Sequence, residues 1–438
     1  MKPVSRGPDR LQVVFDEPGL VADAGLVLVT TLVSRLGLEA LVDKTVGLVG
    51  RVGGFRPGRK VLTLVHAMVA GASHIGHAER LRAGATERVL GHRVMAPSTL
   101  GTFLRAFSFG HVRQMEAVVG ETLRRAWSLG TGPGAARLVI DVDSTICQVY
   151  GKAKAGAAYG YTKVLGYHPL LAVRDGTGEV VHARMRKGSA NTARGAKRFV
   201  EELVGRLRRA GASGQITMRF DSGFWSNTTI AALGRLGVHY TMGVRCGDRA
   251  VAKAIAAIPE ATWAPIAYTP DGIAQVAECR YGGRRLVIRR TRLADSAQQA
   301  LFPDWRHHGF LTDLAGPVTE LDLFHRAHAS VELAIRDIKA SSGLSHCPSG
   351  NFSANGVWLA CAVLAHNLVR WTATIGEVHP DDQLTVASTV RSQLIALPAR
   401  LVNRAGTPLL RAPLHWPWQR SFNRTLASIR ALPAFAPS

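Results

Sequence analysis

Leu138-Val-Ile-Asp-Val-Asp143 is the stretch on which the fold turns. It is short, apolar and β-branched, and it closes on an acid, so it reads as a buried strand ending in a carboxylate. Ile216-Thr-Met-Arg-Phe-Asp221 repeats the pattern further along the chain. Between the two lie a strand over 167–174, a turn at Asp175-Gly-Thr-Gly178, a strand over 179–186 and a helix over roughly 192–210. A helix over roughly 226–236 and a strand over 239–245 follow Asp221.

Three strands followed by helix, strand, helix and strand is the order of an α/β fold with an RNase H-like mixed sheet and flanking helices. The first and fourth strands are neighbours in that arrangement, which brings Asp143 and Asp221 together. A third acid, Glu332, sits in the helical segment Val331-Glu-Leu-Ala-Ile-Arg-Asp-Ile-Lys339. Acids in such places need a reason in a chain with 31 acidic against 54 basic residues. Asp141 competes with Asp143, because two residues apart on a strand they point to one face and alternation cannot separate them.

The composition narrows the partners. A chain of 438 residues with 47% hydrophobic content is globular and long enough for two or three packed domains. A net charge of +23 favours a polyanion, because Arg and Lys displace counterions from phosphates. Arg in place of Lys says nothing by itself; the surplus over acids is the signal. Cys147, Cys246, Cys279, Cys347 and Cys361 are odd in number and never form a C-x-x-C pair. That argues against a disulfide framework and a structural zinc site, and fits a reducing cytoplasm. No basic segment leads directly into an apolar signal core. The apolar run from Gly356 to Ala365 is too short to span a membrane and reads as a buried helix.

Five regions follow from the pattern. Residues 1–136 form a helical region for DNA binding and dimerisation. Ser98 and Thr99 can cap a helix whose Leu100, Phe103, Leu104 and Phe107 share a face, and Val112, Met115, Val118, Val119 and Leu123 line the next helix. With a helix around 77–83, these allow either a helix–turn–helix with Arg105 outward or a plain bundle. The acid-free stretch holding Arg51, Arg56, Arg59 and Lys60 is either a DNA-contacting loop or a linker. Residues 137–245 and 321–380 are the two parts of the core, with a Gly/Lys/Tyr-rich turn at 151–166. Residues 246–320 are a β-rich insertion, with a hairpin turned by Gly282-Gly283 and a strand at Gly309–Thr312. Its Arg284, Arg285, Arg289, Arg290 and Arg292 make a DNA-gripping surface or a solvated strand edge. Residues 381–438 are a basic helical tail, with seven arginines and no acid after residue 383 and a helix over 421–432.

Phosphodiester hydrolysis and strand transfer pass through a crowded anionic centre. Two divalent ions about 3.5–4 Å apart can activate the attacking oxygen and stabilise the leaving one. Magnesium takes oxygen ligands, usually a few carboxylates with water and substrate phosphate. Clustered Asp and Glu side chains are what that chemistry needs, and neither Cys nor His is required.

Ile140-Asp-Val-Asp-Ser-Thr145, Arg219-Phe-Asp-Ser-Gly-Phe224 and Ala329-Ser-Val-Glu-Leu-Ala-Ile-Arg-Asp-Ile-Lys339 carry a resemblance, strengthened by Gly343-Leu-Ser-His-Cys-Pro-Ser349 and Ala365-His-Asn-Leu368. Over residues 90–432 or so the chain resembles the DDE transposases of bacterial insertion sequences, and within them the branch called the thirteen-eighty family. The resemblance implies that Asp143, Asp221 and Glu332 are the catalytic, metal-binding acids, holding two Mg2+ ions for which Mn2+ substitutes. Asp143-Ser-Thr145 matches the family's Asp–small–Thr pattern, which favours Asp143 as the first ligand and leaves Asp141 as an acid behind it. Related transposases carry Tyr, Arg, Glu and Lys at a fixed helical spacing. Glu332 and Lys339 keep two of these, while His325 and His328 stand in the other places and can donate to phosphate when protonated.

Lys187 and Arg194, with Ser189, Asn191 and Lys197, follow the third strand and either touch phosphate near a helix start or cap that helix in solvent. Trp225, Trp263 and Trp305 are expected to pack more than to stack on a base. The implied activity is cut-and-paste transposition: binding double-stranded DNA at terminal inverted repeats, freeing a 3′-hydroxyl with water, and joining it to target DNA. A homodimer in a synaptic complex is implied, in the bacterial cytoplasm and at the nucleoid when bound, with no membrane partner. An RNase H-like nuclease without strand transfer and a domesticated, non-catalytic DNA-binding protein are the alternatives. The three acids count against the last.

Overall fold

The computed structural model describes residues 11–151, 153–160, 162–268, 272–293, 305–378 and 385–435. The boundary drawn at 380/381 lies outside these residues, as do Lys152 and Tyr161 of the turn at 151–166. The chain is a mixed α/β structure with one large mixed sheet and many helices.

Helices come first. They include α1 (Leu26–Arg35), α2 (Pro57–Val69), α3 (Pro97–Arg105) and α4 (Phe109–Ala126). Ser98 and Thr99 do not cap α3. Ala96 is the extended residue before it and Pro97 occupies the first turn, where its fixed φ suits a helix start. Leu100, Phe103 and Leu104 are buried on the expected face. The segment around 77–83 is a 3-10 turn, Ile75–Arg82, rather than an α-helix.

The large sheet has nine strands: β1 (Leu138–Ser144), β2 (Leu170–Arg174), β3 (Val180–Arg184), β4 (Ile216–Phe220), β5 (His239–Val244), β6 (Ala264–Pro265), β7 (Gly272–Tyr281), β8 (Arg284–Leu293) and β9 (Arg306–Thr312). Their spatial order is β6-β7-β8-β9-β5-β4-β1-β2-β3. β1 runs parallel to β4 with Asp141 opposite Arg219, and β4 runs parallel to β5. β2 and β3 are antiparallel. Between β3 and β4 lies α5 (Ala196–Arg209), and between β4 and β5 lies α6 (Asn227–Arg235).

Residues 246–320 begin with a helix, α7 (Arg249–Ala256), where short β-type runs were expected. The strands that follow do not stand apart. β9 pairs antiparallel with β5, Gly309 opposite Val244, so the β-rich segment lengthens the central sheet. The junction is tight: a Cβ on Gly309 would lie 2.6 Å from Ile288 Cδ1. Gly282 and Gly283, both at positive φ, turn the β7–β8 hairpin as their dipeptide suggests. Two helices follow, α8 (Val318–Arg326) and α9 (Ser330–Ser341), separated by a 3-10 turn at Ala327–Ala329.

The helix α10 (Phe352–Ile375) is the spine of the molecule. Asn351 caps it by accepting from the Ser353 and Ala354 amides at 2.8 and 3.4 Å. By length and composition it could cross a membrane, yet its residues from Ala354 to Thr372 are buried in the protein on all sides. It packs against α2, α4 and β3. Asn367 meets the edge strand β3 as another strand would, accepting from Val180 N and donating to Val180 O, both at 2.8 Å. His366 lies against Gly178 O at 2.8 Å. The Ala365-His-Asn-Leu368 motif is therefore the docking point of helix on sheet.

The tail is not helical throughout. Ala399–Arg404 and Thr407–Arg411 form a hairpin that joins Leu20–Val21 in a separate three-stranded sheet. Ala399 and Leu401 alternate inward onto Val21, Ala24 and Ala85, which is a strand's period and not a helix's. The expected helix at 421–432 is α11 (Gln419–Ala431).

Candidate active site

The site is built where β1 and β4 end side by side. Asp143 is the penultimate residue of β1 and accepts from the Ser144 amide at 2.6 Å. Asp221 is the residue after β4; it caps the short 3-10 turn Ser222–Phe224 by accepting from the Gly223 amide, and is exposed. Glu332 comes from the first turn of α9. Val331, Ala334, Ile335 and Ile338 bury one face of that helix, which leaves Glu332 exposed on the other. Asp221 and Glu332 share the wall of a cavity of about 590 Å³, with Tyr268, Arg289, His308 and Arg326 further round it. A second cavity, of about 460 Å³, opens on the other side of Asp221 toward Asn191, Trp225 and Tyr281.

Electrostatics tie the third acid to these two. Burial pushes the Asp143 carboxyl up to about 6, opposed by the Ser144 amide and His328 and reinforced by Asp221 and Glu332. Among the described residues no group of three His, Cys, Asp or Glu side chains is close enough to hold an ion as it stands. The donor set is nonetheless carboxylate oxygen, which suits a hard cation such as magnesium.

Asp141 has a different fate from Asp143. It is fully buried, and its two oxygens accept from Arg219 Nε and Nη2, each at 2.7 Å. His328 Nδ1 lies 2.7 Å from the same carboxylate. Arg219 also reaches Asp175 at 2.9 Å and Phe324 O at 3.0 Å. Ser330 Oγ donates to Asp175 at 3.3 Å. One buried network thus links β1, β4, the turn after β2 and the start of the Glu332 helix. Neither Arg219 nor Asp175 was among the residues singled out from sequence. The signal was available, because an arginine inside an apolar strand must find a buried acid.

The two histidines split. His328 joins that network. His325 is on α8, not on the helix of Glu332; it stacks on Phe310 with ring centres 4.2 Å apart and sits 2.7 Å from Thr241 Oγ1. Burial, with His328 beside it, lowers its pKa to about 3, which disfavours the protonated form that a phosphate donor would need. Lys339 donates to Ile146 O at 2.9 Å and to Thr145 Oγ1 at 3.2 Å, which clamps α9 to the chain just beyond Asp143.

The arginines of β8 are largely turned inward. Arg285 pairs with Glu278 and donates to Leu314 O at 3.0 Å and Gly316 O at 2.8 Å. Arg289 is buried against Asp322 at 2.8 Å and under the Tyr268 ring. Arg290 is buried, bonded to Glu260 and Gln275, and held between the Trp263 and Trp305 rings at 4.1 and 4.3 Å. Both tryptophans therefore face a protein cation. Arg284 bonds a neutral amide, Asn227 Oδ1, at 3.0 Å, and Arg292 is exposed. Lys187 and Arg194 are exposed on the loop between β3 and α5, whose Asn191, Thr192 and Ala193 line the second cavity.

The profile of the family described as Transposase DDE domain group 1 matches residues 5–434. A search of curated proteins returned no match. Among solved structures the chain is similar to a piggyBac transposase synaptic complex with hairpin DNA, at 11% identity and a TM-score of 0.48, over 85% of this chain and 79% of that one.

Proposed function

The chain belongs to the group 1 transposase DDE domain family and is a transposase; on that premise we propose a metal-dependent, cut-and-paste enzyme of a bacterial insertion sequence, of the thirteen-eighty type. The observation that carries this reading is the placing of Asp143, Asp221 and Glu332 at two parallel strand ends and a helix start, where Asp221 and Glu332 add to the burial that raises the Asp143 carboxyl. An RNase H-like core is supported by the order β3-β2-β1-β4-β5, with β1, β4 and β5 parallel and β2 and β3 antiparallel.

Asp143, Asp221 and Glu332 would hold two Mg2+ ions, or Mn2+ in their place, which when bound activate the attacking oxygen and stabilise the leaving one. Asp141 is a positioning acid in this reading, since Arg219 and His328 already occupy its oxygens. That network and the Lys339 clamp keep β1, β4 and α9 at fixed spacing, which is what a reaction between positioned oxygens demands. Lys187, Arg194 and Arg284 are among the cations near the site with no acid bonded to them among the described residues, and would grip backbone phosphate. The helical region before residue 137 and the β6–β9 extension would bind terminal inverted repeats. Two copies would hold the two ends in a synaptic complex, in the bacterial cytoplasm at the nucleoid.

The test uses labelled element ends and magnesium. Asp143→Ala, Asp221→Ala and Glu332→Ala are each expected to bind the ends and fail to cut them. Full cleavage by the Asp143 variant, with loss in Asp141→Ala, would reassign the first ligand. Inverted repeats flanking the gene would separate transposition from simple nuclease activity.

A further inference from the structure

Two apolar surfaces on this chain lack a cover among the described residues. The first is the segment Leu11-Gln-Val-Val-Phe15. Leu11, Val13, Val14 and Phe15 are 76, 69, 69 and 100% exposed, and the segment pairs with no strand. The second is a groove of about 750 Å³ between the hairpin Ala399–Arg411 and α11, walled by Leu409, Leu410, Leu414, Trp416, Phe422 and Leu426. Contiguous apolar surface of this kind marks an interaction site.

We propose that the groove receives the Leu11–Phe15 segment of a second copy of this chain, and that two copies exchange these segments reciprocally. Three features single out that occupant. Charge is complementary at Asp16, into which the segment runs straight, Glu17 being already paired with Arg400 of its own chain at 2.9 Å, while the groove wall contains Arg88 and Arg430 and no acid. Backbone is available: Thr407–Arg411 is an edge strand, bonded to Ala399–Arg404 on one side. Leu401 N donates to Gly19 O, so its opposite number Leu410 turns its amide and carbonyl toward the open edge, where an extended segment can meet them. Geometry allows exchange: the segment leaves the molecule at Glu17, whose carboxylate pairs with Arg400 at 2.9 Å on the far side of the same three-stranded sheet. Each copy thus offers a segment and a groove from one small sheet, and a two-fold axis closes the pair.

The inference deepens the two-copy assembly proposed above and rests on it for its purpose. It is read by self-association alone, so a chain that cuts DNA but fails here keeps its function and loses this surface. Sedimentation velocity on the full chain without DNA gives the dissociation constant. Phe15→Asp and Leu414→Asp both change exposed side chains, Leu414 being 84% exposed, so folding is preserved. Each is expected to weaken dimerisation by more than about tenfold, as loss of a central apolar anchor does. Mixing them is the decisive measurement. The Phe15 variant keeps an intact groove and the Leu414 variant an intact segment, so the mixture regains one of two contacts and forms heterodimers that neither forms alone. A wild-type monomer at tens of micromolar, on the order of a weak interface's limit, would overturn the proposal. So would dimers indifferent to both changes, or a mixture with no recovery, the last meaning that the groove is filled within one chain.

Discussion

At the ends of β1 and β4, Asp143 and Asp221 have no cation bonded to them among the described residues, whereas in β8, three strands beyond β4, Arg285, Arg289 and Arg290 are each bonded to an acid. In a chain of net charge +23 the reverse would be expected, with scarce acids neutralised and abundant cations left free. The difference separates the amount of charge, which composition records, from its availability, which pairing decides. Within β1 the same contrast recurs over two residues: Asp141 is closed by Arg219 and His328, while Asp143 accepts only from the Ser144 amide among the described residues.

The largest expected effect follows from the open acids. Asp143→Ala, Asp221→Ala or Glu332→Ala should reduce magnesium-dependent end cleavage to background, while Arg290→Ala should leave the rate per folded molecule near wild type. Single-turnover cleavage with folded protein quantified by circular dichroism makes that comparison. Substantial cleavage by any acid variant would place that acid with the closed set.

The closed set should show in stability. Arg219→Ala leaves Asp141 buried without its main partner and should cost about 3–5 kcal/mol, the usual penalty for breaking a buried pair from one side. Urea unfolding monitored by tryptophan fluorescence measures it. Asp143→Ala removes a desolvated carboxylate and should cost little or stabilise. Equal losses in the two variants would erase the distinction between Asp141 and Asp143.

Much of this was legible in sequence because it depends on local pattern. Ile216–Phe220 is a strand and Glu332 is on a helix for reasons of apolar period alone. What was not legible depends on long-range pairing. Nothing local says that β9 adds to β5, or that the hairpin Ala399–Arg411 finds Leu20–Val21. The arginines of β8 looked free because their partners Glu260 and Asp322 are remote in sequence and only the fold supplies them. Arg219 was a missed opportunity: a charged residue in a buried strand points to its own counter-ion, and parallel register makes that Asp141.

A smaller effect is conditional on pH. In metal-free buffer the Asp143 carboxyl titrates at about 6 in the fold, above its ordinary value near 3.8. A raised folded value contributes stability that is present below the unfolded pKa and lost as pH rises through the folded one. Wild type should therefore lose stability relative to Asp143→Asn between about pH 4 and pH 6, and the gap should be widest at pH 7. Magnesium should close it at pH 7 by stabilising wild type and not the variant. Melting temperatures across that range, with and without the ion, test both parts; a gap independent of pH would mean that Asp143 is not desolvated.

The smallest effect concerns three of the cations left open beside the site. Lys187, Arg194 and Arg284 have no acid bonded to them among the described residues, so each can release a counterion when DNA binds. Each alanine substitution should weaken binding to terminal DNA modestly and reduce the slope of log affinity against log salt by about 0.9, the value for one phosphate contact on a duplex. Arg290→Ala should leave the slope unchanged, because Glu260 already neutralises that guanidinium and two indole rings enclose it. Fluorescence anisotropy over a salt series distinguishes the two classes, and it does so even where single affinities differ too little to interpret. A slope that falls in the Arg290 variant would mean that the ion pair opens on binding. The β6–β9 extension would then become a second source of phosphate contacts, with its charge held in reserve by acids that release it when DNA arrives.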